Sequence, residues 1–171
     1  MNRVWAWLKE DGRYILFFKA LVLGAVPVMM CVIYCWSCGG SIGELYFPNS
    51  EWNDEVFYYK QVEGILNFGY PRGYFGFNES HARLLSFAAW SPALYVPWTV
   101  WGAIFGWNLM SPIICNIVIL TVAMVLYAVL AKPTAKQTGA IVFLFFLYTI
   151  SARYTLSLVP EIICHSFAIV I

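Results

Sequence analysis

Charge is what this chain has least of: Asp, Glu, Lys and Arg make up 11% of its 171 residues, against about 25% in soluble domains. The net charge of +1 supplies no concentrated basic patch to face phosphates, so nucleic acid is not an expected partner. No glycine-rich phosphate loop, nucleophile elbow or closed His/Cys zinc spacing occurs, which removes the enzyme classes built on those motifs. There is no internal repeat and no low-complexity tract. Neither an A-x-A-like cleavage site after the first apolar run nor a lipoprotein-like box before Cys38 is present, so the N-terminus reads as an uncleaved signal anchor. Five cysteines are an odd number for a complete disulfide framework. Cys35-Trp-Ser-Cys38 has redox-motif spacing, but it lies in an apolar run with no βαβ pattern. With Cys31 at helical spacing, these thiols read as small membrane-embedded hydrophobes.

What the chain has instead is apolar surface, 61% hydrophobic residues and 19% aromatic ones, more than a soluble core could hide. Residues 20–38 carry no charge. At about 1.5 Å per residue such a helix reaches roughly 28 Å, close to the ~30 Å hydrocarbon thickness. Pro27 lies inside it, which membrane helices tolerate when neighbours satisfy the freed carbonyl. Arg3, Lys9, Arg13 and Lys19 precede it, which predicts that residues 1–19 are cytoplasmic and that the helix runs outward.

Residues 39–86 are polar by comparison and form an outer loop. Within it Val56, Tyr59, Val62 and Leu66 recur at near-helical spacing, Asn53 suits a cap, Asp54 and Glu55 suit a first turn, and Gly69 suits an end. Such a helix fits the membrane surface. The stretch Gly69-Tyr-Pro-Arg-Gly-Tyr-Phe-Gly-Phe77 predicts an ordered turn with aromatic anchors. Residues 87–106 are uncharged, yet Pro92, Pro97, Trp90, Trp98 and Trp101 resemble an interfacial belt. Residues 109–131 are a second span, followed by the short basic loop 132–138, which belongs in the cytoplasm. If 87–106 also crossed, that loop would land outside, so an interfacial or re-entrant helix is expected there. Residues 139–152 return outward, 153–161 form an outer turn, and 162–171 begin a fourth span. A chain end ten residues into an apolar run would leave a carboxylate at membrane depth. The sequence therefore reads as the N-terminal portion of a longer protein. The expected fold class is all-α, a polytopic transmembrane protein with interfacial helices in the first outer loop. On this topology the cytoplasmic parts hold six basic and two acidic residues, and the outer parts Lys60, Arg72, Arg83 and Arg153 against seven acids.

Two acidic positions share the outer side: the Asn53-Asp54-Glu55 triplet and Glu161. A carboxylate at a membrane boundary is costly unless it faces protein or a wet cavity, which makes Glu161 a functional candidate. It equally suits a structural partner for Arg153 across a short turn. Asp54 and Glu55 equally suit the dipole of the helix they begin, worth about 0.3–1 kcal/mol.

This arrangement resembles the C-type integral membrane glycosyltransferases, which include protein O-mannosyltransferases, oligosaccharyltransferase catalytic subunits and aminoarabinose transferases. Members have a first helix running outward and a long outer loop with an Asp or Asp-Glu pair near its start, the place held here by Asn53-Asp54-Glu55-Val-Phe-Tyr-Tyr. A second acid commonly precedes a transmembrane helix in the next outer loop, as Glu161 does after Arg153-Tyr154. Mannosyltransferase-like members also carry an aromatic, acid, His-Pro-Pro stretch. Phe77-Asn78-Glu79-Ser80-His81-Ala82-Arg83 is similar without the two prolines, and Trp90-Ser91-Pro92 is a competing match. The resemblance implies a cell-membrane enzyme that takes a sugar from a polyprenyl-phosphate donor. Asp54, Glu55 and Glu161 would be its catalytic acids, with Asp54 as base toward the acceptor hydroxyl. Arg153, Arg72, Lys60 and His81 are the substrate-binding candidates, an arginine fork suiting the lipid phosphate best. Lys60 and Arg72 equally suit a solvated loop face, and His81 a solvated loop position. Some members use a divalent cation, but two separated acids fall short of a coordination set, so no metal or other cofactor is expected. The rival expectation is a non-catalytic polytopic membrane protein, such as a transporter component or an inactive subunit.

Overall fold

The computed structural model describes residues 12–45, 54–74, 82–84 and 92–171. The elements are α1 (Arg13–Ser37), α2 (Asp54–Phe68), β1 (Arg72–Tyr74), β2 (Ala82–Leu84), α3 (Val96–Phe105), α4 (Ser111–Ala131), α5 (Ala135–Leu147), α6 (Thr149–Thr155) and α7 (Glu161–Val170), with 3-10 turns at Ile42–Glu44 and Pro92–Leu94. The described chain is therefore helical apart from a three-residue antiparallel ladder that pairs Arg72 with Leu84 and Tyr74 with Ala82. His81, the Asn53 cap and residues 85–91 lie outside the described residues.

Helices α1 and α4 are 25 and 21 residues long, and both are long and apolar enough to cross a membrane. Residues 135–155 make a third span if α5 and α6, bent by 72° at their junction, are taken as one. α4 is apolar on both its inner and its outer side. Ile113, Asn116, Leu120, Met124 and Ala128 face inward and are buried, while Ile114, Val118, Val122, Leu126 and Val129 stand exposed on the other side. A helix apolar all round belongs in a large core or a membrane. At about 1.5–3 kcal/mol per large apolar side chain, five such residues left in water would forgo about as much free energy as a whole domain has to spare.

Two contacts fix the directions of the long helices. At one end the Lys19 ammonium donates to the Pro133 carbonyl at 2.5 Å, which brings the start of α1 beside the end of α4. At the other end, Asn116 in the second turn of α4 donates to the Thr155 and Ser157 carbonyls at 3.3 and 2.7 Å, and α6 packs on α1. The close α1–α4 approach depends on Gly24, where a Cβ would lie 2.8 Å from Val125 Cγ2.

α3 packs on both α2 and α4. Tyr95 and Trp98 at its start pack on Tyr58 of α2, with ring centroids 5.9 and 6.4 Å away. Trp107, just past its end, stacks on Tyr59 of the same helix at 5.2 Å. Both ends of α3 thus rest on α2, and its ten residues extend only about 15 Å.

Several boundaries differ from the sequence reading. α1 starts at Arg13 rather than residue 20, because nothing in residues 13–19 breaks a helix. α5 starts at Ala135 rather than residue 139 because Thr134 caps it: Thr134 Oγ1 accepts from Gln137 N at 3.3 Å and Gln137 Oε1 from Thr134 N at 2.8 Å. The run expected as one helix over 139–152 is broken at Tyr148, whose φ of −89° and ψ of 72° are not helical. The bend turns Ala152 and Leu156 into the core beside Cys31 and Cys35. α2 ends where Gly69 takes φ +80°, a conformation that costs glycine no steric clash.

Candidate functional site

The acidic pair at the start of α2 is split by helical geometry. One residue of helix turns the side chain by about 100°. Asp54 consequently stands exposed, whereas Glu55 is fully buried on the inward face with Tyr58, Tyr59 and Val62. Glu55 Oε1 accepts a hydrogen bond from the Leu158 N–H at 2.7 Å. Leu158 lies in the segment between α6 and α7, so this bond fastens the start of α2 to that segment across 103 residues of sequence.

The segment is held from the other side too. Trp98 Nε1 donates to Asn116 Oδ1 at 2.8 Å, and the Asn116 amide spends both hydrogens on the Thr155 and Ser157 carbonyls. Asn116 and Trp98 are both fully buried. A buried amide with its donors and acceptor engaged makes a rigid, position-specific joint. The sequence reading marked Trp98 only as part of an interfacial aromatic belt and did not mark Asn116. The signal existed, since Asn116 is the one side-chain amide in α4.

Beside the segment lies a cavity of about 220 Å³, lined by Tyr34, Cys35, Cys38, Gly40, Ser41, Glu44, Leu45, Arg153 and Leu156. It sits where α1 ends, roofed by the Ile42–Glu44 turn. Glu44 Oε2 accepts from Ser41 N at 2.7 Å, so this carboxylate closes its own turn. Arg153 is the cation of the cavity wall. Cys35 and Cys38 are free thiols, Cys35 buried and Cys38 exposed.

The remaining candidates fall as follows. Glu161 is the first residue of α7, with Oε2 buried and no hydrogen-bond donor for that atom among the described residues. Lys60 forms an exposed pair with Glu63 at 2.6 Å. The Arg72 guanidinium lies 4.1 Å over the Phe68 ring, a cation–π contact. Neither Lys60 nor Arg72 lines the cavity. Tyr59, next to Lys60, has its phenol pKa raised above the ordinary value, first by burial and second by the Glu63 carboxylate. Among the described residues no three His, Cys, Asp or Glu side chains gather so as to hold a metal ion.

The structure thus ties Glu55 to the segment that joins α6 to α7, which Arg153 and Glu161 flank in sequence, while Asp54 stands exposed one residue earlier and Lys60 and Arg72 have partners within α2. No family model matches the chain, and neither a curated protein nor a solved structure shows significant similarity to it.

Proposed function

We propose that this chain is a membrane glycosyltransferase, or part of one, which transfers a sugar from a polyprenyl-phosphate donor to an acceptor hydroxyl on the outer face of the cell membrane. The observation that carries this reading is the Glu55–Leu158 junction. It ties the residue after Asp54 to the segment that runs from Arg153 to Glu161, which supports a site shared by those two acids and that cation at one end of the bundle. The opposite end holds Arg13, Lys19, Lys132 and Lys136. Basic clusters tend to face the cytoplasm, which supports an acidic end outside, an N-terminus inside, and α2 and α3 at the outer interface.

In this reading Glu55 positions and Asp54 reacts. The Asp54 carboxylate takes the proton of the acceptor hydroxyl as its oxygen attacks the anomeric carbon, and the bond from that carbon to the phosphate oxygen breaks. The phosphate leaves with the bonding electron pair, requiring little protonation, and Arg153 stabilises it from the cavity wall. Glu161 shapes the donor side.

A second reading has its own support. The Glu55 carboxylate is spent on a backbone N–H, and a cavity of about 220 Å³ is smaller than the ~300–1,000 Å³ of most ligand pockets. Both features suit a non-catalytic membrane subunit or transporter component. Turnover and donor binding in reconstituted membranes, with a panel of polyprenyl-phosphate sugars, separate the two. Asp54→Asn should lower turnover about 10²–10⁴-fold with donor affinity unchanged, whereas Arg153→Gln should weaken donor binding. Wild-type turnover in Asp54→Asn would show that this carboxylate is not the base and leave Asp54 as an acid of the first helical turn, where charge contributes only about 0.3–1 kcal/mol to stability.

A further inference from the structure

The basic end of the bundle carries a second hollow, unrelated to the acidic end. A groove of about 450 Å³ lies there between α1 and α4, lined by Leu16, Phe17, Ala20, Leu21, Val125 and Val129 together with Arg13. An adjoining hollow of about 350 Å³ shares Arg13 and Leu16 with this groove and adds Lys19 and Lys132. Among the described residues the groove walls are otherwise purely apolar, and no acidic side chain lines either hollow.

The cations are fixed from different elements. Arg13 and Lys19 lie six residues apart on α1. Lys19 is tied to the α4–α5 turn through the Pro133 carbonyl. Lys132 caps α4 in the left-handed conformation, φ 47°, which ends the helix and carries its side chain to the rim. An ordinary lipid-facing surface is convex, with charges that snorkel independently. This one is concave and apolar, and three positive charges meet at one end of it.

We propose that the paired hollows form a binding site for one anionic glycerophospholipid of the cytoplasmic leaflet, with an acyl chain in the apolar groove and the phosphate head group among Arg13, Lys19 and Lys132. Basic pockets between membrane helices on the cytoplasmic side recognise such head groups. The groove volume also falls in the range of small-molecule sites. A zwitterionic lipid brings a quaternary ammonium among three cations and is disfavoured; a free anion lacks the chain that fills the groove. The proposal depends on α1 and α4 spanning the membrane and is independent of any transfer chemistry.

The test uses the full chain in an uncharged detergent, titrated with phosphatidylglycerol or with phosphatidylcholine of the same acyl chains, bound lipid being counted by native mass spectrometry. One phosphatidylglycerol should be retained at concentrations at least tenfold lower than phosphatidylcholine requires. Each juxtamembrane cation contributes about fivefold to anionic-lipid affinity, so Arg13→Gln with Lys132→Gln should weaken phosphatidylglycerol about 25-fold. Val129→Trp fills the groove, leaves the charges intact, and should weaken binding as well. Equal retention of the two lipids by the wild-type chain overturns the proposal and needs no variant to fold. So does unchanged phosphatidylglycerol binding in Val129→Trp, or competition by inorganic phosphate at the concentration at which the lipid binds.

Discussion

Glu55 and Asp54 are neighbours with opposite surroundings, and substitution separates what each does. Glu55→Gln keeps an oxygen that can accept from the Leu158 N–H and should leave the thermal midpoint in detergent nearly unchanged. Glu55→Ala strands that N–H in the interior, a loss of about 1–3 kcal/mol that should appear as a lowered midpoint. If Gln destabilises as much as Ala, the negative charge and not the hydrogen bond holds the junction. Tyr59 gives a second view of burial at this scale. Its raised phenol pKa means that the native state favours the neutral form. That contribution is fully present below the unfolded tyrosine value of about 10 and is lost as pH rises through the higher folded value.

Among elements, the seating of β1 on α2 depends on a single missing carbon. A Cβ at Gly64 would lie 2.7 Å from the Arg72 carbonyl oxygen and 2.9 Å from its nitrogen, so the strand backbone itself would have to move. Gly64→Ala should cost about 1–3 kcal/mol, as overpacking typically does. Gly43→Ala, where a Cβ meets nothing within 4 Å, is the silent control; equal midpoints for the two variants would refute the close seating. Elements of this kind were legible to different degrees. Asp54 and Glu55 at one end and Gly69 at the other mark α2 by ordinary start and stop chemistry. The phase of its buried face showed in part: Tyr59 and Val62 of the apolar recurrence are buried, but Val56 is 41% exposed while Glu55 is fully buried; the Leu158 N–H that draws Glu55 inward comes from the far end of the sequence. The break at Tyr148 was invisible for a related reason. Phe145-Phe-Leu-Tyr148-Thr-Ile150 contains neither proline nor glycine, and only packing of Ala152 and Leu156 against α1 turns the chain there. The acids of the candidate site stood out by their rarity. Its polar scaffold of Asn116, Trp98, Thr155 and Ser157 did not, since amide-to-carbonyl bonds leave no spacing signature.

For the whole molecule, the two-ended charge arrangement makes a labelling prediction. Cys38 is exposed where α1 ends, while Cys31, Cys35 and Cys115 are buried. With Cys164 replaced by Ser, a membrane-impermeant maleimide should label Cys38 from outside intact cells. Lys136→Cys, placed in a background free of the native thiols, should react only after permeabilisation. Labelling of residue 136 from outside would invert the proposed orientation. The bend at Tyr148 carries a consequence of another kind. α1 and α4 measure about 37 and 31 Å, but α5, with 13 residues, reaches only about 20 Å before the chain turns. A bilayer surrounding these helices meets its full hydrocarbon thickness on one flank and a shortfall of roughly 10 Å on the other, and hydrophobic mismatch of that size is relieved by local thinning. The thinned flank is the side on which a long-chain lipid would cross the least hydrocarbon to bring its head group to the surface.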